Sequence, residues 1–190
     1  MKQLFQLLAV VFLLATAPAG AKDIAGVELA ESVRPVGSDR ELLLNGAGIR
    51  SKFIFDVYIG ALYLGKKERA AEKILSDIGA KRVLMHFIYD KVSKSDLVDA
   101  WWDGFKDNLS EGELQSLSER ITAFGALFPD AHRGDVFLLD YLPGEGTRVS
   151  VNGTVAGTIS GADFNQALLK IWIGQDPVTR SLKEAMLGAE

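Results

Sequence analysis

Along this chain apolar positions recur every second residue, then every three to four, and then every second residue again. Gly26-Val27-Glu28-Leu29-Ala30 alternates as a first strand, Arg34-Pro35-Val36-Gly37 breaks it, and Glu41 to Asn45 is a short apolar approach. Asn45-Gly46-Ala47-Gly48-Ile49-Arg50 predicts a tight turn, because glycine tolerates positive φ and asparagine accepts it better than most residues. The turn leads into Phe53 to Leu64, a long strand dense in aromatic and branched side chains. Lys66 to Ile78 reads as a helix with Ala70, Ala71, Ile74 and Leu75 as its stripe and Gly79 as its stop, and Arg82 to Tyr89 alternates as another strand.

The middle of the chain is helical. Ser93-Lys94-Ser95-Asp96 has capping-box spacing and opens a helix bearing Leu97, Val98, Trp101, Trp102 and Phe105. A second helix runs from about Glu111 to Phe128 and stops at Pro129. Val136–Leu142, Arg148–Val151 and Val155–Ile159 form a meander, with Asn152-Gly153 as its second turn. Ser160 to Asp163 cap a helix ending at Ile173, and Asp176-Pro177 starts the last helix, about Val178 to Leu187. Strands at both ends with grouped helices predict an α+β fold, an antiparallel sheet with helices packed on one face.

The first residues are set apart from this pattern. Lys2, the apolar run Leu4 to Ala15 and the small residues Ala19-Gly20-Ala21 read as a secretory signal peptide over residues 1–21, leaving one domain over 22–190. Losing Lys2 moves the net charge from −4 to −5. A mildly acidic chain without a Lys/Arg run argues against nucleic acid or an anionic membrane surface as the main partner. No later segment has the roughly 20 apolar residues of a membrane span. With no cysteine, an exported chain draws its stability from packing, and a bacterial periplasm is the simplest destination.

Most candidate chemistry is absent. Gly46-x-Gly48-x-x-Ser51 is followed by a strand, so it lacks the helix N-terminus that a phosphate loop needs. His86 and His132, the only histidines, have no metal-ligand spacing, no cofactor motif is present, and no nucleophile stands beside a base. Arg50 stands out as a lone cation at the mouth of a large apolar surface. Two readings fit it: an ion pair, for instance with Asp56, or a hold on the polar head of a mostly apolar ligand. Helix-stripe aromatics such as Trp102, Phe105, Phe124 and Phe128 are the usual makings of a core.

Gly46-Ala47-Gly48-Ile49-Arg50 with Val57-Tyr58 and Tyr63-Leu64, then Tyr89 through Trp101-Trp102-Asp103-Gly104-Phe105, then Asp163 to Gly174 followed by Pro177, resembles the chalcone isomerase-like superfamily, and within it the bacterial secreted branch. The resemblance implies the open-faced β-sandwich of that fold. It places Arg50 on the family's catalytic arginine, Tyr58 on a strand threonine, Tyr89 (or the position before it) on a tyrosine, Ser95 or Asp96 on an asparagine, and Ile171 on a late threonine. At least two hydroxyl or amide positions have thus become bulky or apolar, which argues against closing a flavanone ring. Fatty-acid-binding relatives keep chiefly an arginine and a tyrosine. The implied ligand-binding set is Arg50, Tyr58, Tyr89, Trp101, Ile171 and Trp172, with Trp101 and Trp172 as cleft walls and a small apolar or carboxylate ligand as partner. Two other readings stay open: an isomerase or lyase acting on an unsaturated carbonyl compound, and a protein-interaction module with a filled cleft.

Overall fold

The computed structural model describes residues 21–189; the proposed leader, apart from Ala21, lies outside the described residues. A hairpin of β1 (Ala21–Ile24) and β2 (Val27–Ala30) opens the fold. It is followed by β3 (Ser32–Val33), β4 (Leu42–Lys52), β5 (Phe55–Leu64), α1 (Ala71–Ser76), β6 (Lys81–Phe87), β7 (Lys91–Val92), α2 (Lys94–Asn108) and α3 (Glu111–Ala126). The chain closes with β8 (Ala131–His132), β9 (Val136–Leu142), β10 (Gly146–Val151), β11 (Thr154–Ile159), α4 (Ala162–Ile173) and α5 (Arg180–Met186). Seven strands form one antiparallel sheet in the order β11-β10-β9-β6-β5-β4-β3. The α+β fold and its antiparallel sheet with helices on one face are as the periodicity predicts.

Helix α4 is buried on nearly every side, through Phe164, Leu168, Leu169, Ile171, Trp172 and Ile173, as a helix apolar all round must be. It lies against α2, whose Gly104 leaves room for Ile171: a Cβ there would stand 2.9 Å from the Ile171 side chain. The opposite face of the sheet carries a smaller core, in which Leu29 of the β1–β2 hairpin clusters with Leu44, Ala47, Ile59, Ala61 and Tyr63.

Two expectations are corrected. Asn45 to Arg50 is no turn but the middle of β4, and its glycines face α5. A Cβ on Gly46 would meet the Ala185 carbonyl at 2.0 Å, and one on Gly48 the Ala185 Cβ at 2.6 Å. Asn45 itself sits at a bulge; its side chain donates to the Met186 carbonyl at 2.8 Å and accepts from the Glu68 N–H at 2.8 Å. The β4–β5 turn is Phe53-Ile54 instead, with Phe53 at φ 56°. The helix expected from Lys66 starts only at Ala71, because the Glu68 carboxylate takes the Arg69 and Ala70 N–H groups (2.9 Å each) and Ala70 is extended. Ser110 is the N-cap of α3 with a complete capping box to Glu113.

Candidate functional site

Strand register brings the site together. Arg50 on β4 lies directly opposite Tyr58 on β5, and its guanidinium carbon is 6.0 Å from the Tyr58 ring centre. Both face the helices, where a cavity of about 300 Å³ opens between the sheet, α2 and the end of α4. Five of the six residues expected at a ligand site line it: Arg50, Tyr58, Tyr89, Trp101 and Ile171. The sixth does not. Trp172 is wholly buried behind the wall, and its indole N–H donates to the Tyr58 hydroxyl at 2.9 Å. Its role as a cleft wall is corrected to that of a support for Tyr58.

The walls are mostly apolar, with Phe55, Phe87 and Leu97 beside Ile171. Tyr89 meets Phe55 edge-on at 5.5 Å. Trp101 is held by Phe124, Phe128 and Trp172 at 5.3–5.8 Å between ring centres. Lys52, Lys91 and Asp96 are the further charged lining residues. Lys91 pairs with Asp130 at 2.7 Å, and the Asp96 carboxylate accepts from the Ser93 hydroxyl at 2.6 Å.

Two buried donors in these walls lack a partner: Arg50 Nε and the Trp101 indole N–H. The ion pair considered for Arg50 is not formed, since Asp56 instead accepts from the Ser51 hydroxyl at 2.6 Å. Arg82, Arg120, Arg133 and Arg148 each hold a carboxylate; Arg50 holds none among the described residues. Buried donors are normally satisfied, so two unpartnered donors on residues that line one cavity single that cavity out. Tyr58 adds a third. Burial pushes its pKa up to about 12, against the opposing pull of the Arg50 charge and the Trp172 N–H, so it stays a neutral hydroxyl. Its oxygen already accepts from Trp172, which leaves its proton to donate.

The site can therefore offer hydrogen bonds and the Arg50 charge to an oxygen-bearing head group, beside apolar walls. Three larger depressions, of 330, 430 and 450 Å³, contain neither unpartnered donor. Among the described residues no cluster of three or more His, Cys, Asp or Glu is placed to hold a metal, and no helix is long and apolar enough to cross a membrane. His86 lies mid-strand in β6 with its pKa lowered by burial, and neither it nor the exposed His132 lines the cavity.

Sequence reasoning missed Phe53, Phe55 and Val178 as lining residues. The first two were legible once the hairpin turn was placed at Phe53-Ile54, since the register then follows by counting. Nothing local marks Val178.

The chain belongs to the chalcone isomerase-like family, whose model matches residues 21–188. Among solved structures it is similar to a fatty-acid-binding protein of Arabidopsis thaliana, with a TM-score of 0.65 at 16% identity over 88% of this chain and 95% of that one. No curated protein matches it.

Proposed function

We propose that this protein binds a small apolar acid of fatty-acid type and does not catalyse ring closure of chalcones. The observation that carries the reading is Arg50: a half-buried guanidinium with an unpartnered Nε, beside the neutral Tyr58 on the neighbouring strand, in the wall of an apolar cavity. A charge-assisted hydrogen bond from Arg50 to a carboxylate contributes roughly 1.5–3 kcal/mol. Each buried methylene contributes about 0.8 kcal/mol before association costs. The cavity lies at the small end of the ~300–1,000 Å³ range of ligand pockets, which favours a medium-length chain or one whose tail leaves the mouth. The Arabidopsis fatty-acid-binding protein on the same fold supports the choice of ligand class. Against an isomerase stands the lack of a free base: Tyr58 is held protonated, Asp96 is engaged by Ser93, and Ile171 has no donor to aim at developing charge.

The test is calorimetric titration with a saturated medium-chain acid and the matching alcohol. Arg50→Gln should weaken the acid by about ten- to a hundredfold and leave the alcohol nearly unchanged. Arg50→Lys should restore only part of the loss, because an ammonium lacks the planar fork that meets two carboxylate oxygens. If acid and alcohol lose affinity alike, or if chalcone cyclises well above its spontaneous rate in an Arg50-dependent manner, the reading is wrong.

The same proposal places the chain in the bacterial secreted branch, exported to the periplasm. The support is the composition of residues 1–21. N-terminal sequencing of protein from a periplasmic fraction should begin at Lys22; a chain retaining its leader in the cytoplasm would overturn it.

A further inference from the structure

The β4–β5 turn is made of the wrong residues for a solvated hairpin. The two other two-residue turns that reverse antiparallel strands at positive φ use Ala25-Gly26 and Asn152-Gly153. Here the chain places Phe53 at φ 56° and follows it with Ile54. A bulky residue at positive φ is strained, and such strain persists where it serves a function. The two side chains are 91% and 88% exposed, more than the other large apolar residues of the described chain. They form a narrow convex tip, with half-exposed Phe55 just behind.

We propose that this tip is a wedge that inserts into a lipid bilayer carrying anionic head groups. Two adjacent apolar side chains on a protruding turn are too small a patch for a stable protein interface, which takes roughly 800 Å² per partner. Insertion of a few apolar side chains below the head groups needs no such area. Charge supports the same occupant. Lys52, without an ion pair among the described residues, directly precedes Phe53 and lines the cavity mouth with it. One free cation thus stands where the head-group layer would meet the tip, while Lys91 at the same mouth is held by Asp130. The acidic chain argues against a broad anionic contact, and this one is confined to the tip. Position supports it too: the residues of the wedge adjoin the cavity, and an amphiphile leaving a bilayer there would enter without crossing open water. This goes beyond the acid-binding reading and stands or falls separately from it.

The experiment is co-sedimentation of the chain from Lys22 onward with phosphatidylglycerol vesicles and with neutral phosphatidylcholine vesicles. Wild type should bind the anionic vesicles more tightly, with affinity falling as salt rises. Ile54→Ser, a fully solvated position outside the cavity, should weaken binding by about tenfold without changing the acid titration. The double variant Phe53→Asn, Ile54→Ser should abolish it while folding at least as well, because asparagine suits the positive φ. Arg50→Gln should keep vesicle binding while losing the acid, so the two proposals fail independently. Three outcomes would overturn the wedge: no vesicle binding by wild type, equal binding by both tip variants, or a concentration-dependent dimer in sedimentation that the tip variants abolish.

Discussion

Replacing Gly46 with alanine separates two roles a glycine in β4 can have, turn-making and close approach. A Cβ there would stand 2.0 Å from the Ala185 oxygen and 2.9 Å from both the Gly188 nitrogen and the Met186 oxygen. All three are backbone atoms, so no change of rotamer relieves the clash. Undocking α5 would relieve it but would expose Leu182 and Met186, both fully buried, at about 1.5–3 kcal/mol each. Straining helix and strand apart is the other route, and overpacking of that kind costs about 1–3 kcal/mol. The ranges meet near 3 kcal/mol, which lowers Tm by about 6–12 °C in a domain of this size. Gly48→Ala meets a side chain instead, the Ala185 Cβ at 2.6 Å. Adding Ala185→Gly should therefore recover most of its loss, less the roughly 1 kcal/mol that glycine costs in a helix. The same addition should not rescue Gly46→Ala, whose obstacle is a carbonyl. Gly112→Ala in α3, with nothing within 4 Å, is the control and should be neutral or stabilising by up to about 1 kcal/mol. Chemical denaturation of the set decides the matter. An unchanged Gly46→Ala, or rescue of both variants by Ala185→Gly, would refute the docking argument.

Two further outcomes follow from buried polar groups. Arg82 and Asp140 form a two-point pair across β6 and β9, at 2.5 and 2.8 Å and nearly without solvent; Asp140→Ala should cost about 3–5 kcal/mol in urea unfolding, while Arg82→Met with Asp140→Leu should recover most of it. The pKa of Tyr58, raised to about 12, lies above the ordinary tyrosine value of about 10 that applies in the unfolded chain. From there up to about 12 the unfolded state has lost a proton the native state keeps, so stability should fall with rising pH by up to ~1.4 kcal/mol per unit. Tyr58→Phe should remove that slope, and an unchanged slope would mean that the hydroxyl is not shielded.

The parts of the fold that could be read from the chain are those where one residue type has one physical use. Asn152-Gly153 turns at φ 50° and 81°, and Ser93 caps α2 by accepting from the Asp96 N–H. Glycine has two uses, positive φ and missing volume, and the pattern alone does not tell them apart. Gly46 and Gly48 were therefore read as a turn, whereas their partner, α5, lies about 140 residues further on. Helix α1 was overextended for a related reason: what stops it at Ala71 is Asn45 and Glu68 claiming backbone groups, a contact across 23 residues in the first case. Arg50 could be found as a lone cation beside a long apolar strand and Tyr58 through the family resemblance, but their pairing could not, because the turn that sets their register lies at Phe53-Ile54 and not at Asn45 to Arg50. Trp172 was misplaced because α4 is apolar on all sides, so periodicity does not say which neighbour each ring meets; its partner Tyr58 is 114 residues away.

The two lessons meet in one face of β4. Gly46, Gly48 and Arg50 are successive inward positions, opposite Leu62, Gly60 and Tyr58 on β5. At the first two levels α5 occupies the space that side chains would have filled, with Leu182 3.3 Å from where a Gly60 Cβ would be. At the third level two long polar side chains replace the glycines, and there the cavity begins, with Val178, just ahead of α5, in its wall. The docking of α5 therefore sets one end of the cavity without touching Arg50. It follows that Gly48→Ala should alter affinity for the acid and the alcohol alike, by moving Val178. Arg50→Gln should alter the acid alone. A Gly48 variant that discriminates between acid and alcohol would mean that α5 and Arg50 are coupled through the guanidinium rather than through the shape of the cavity.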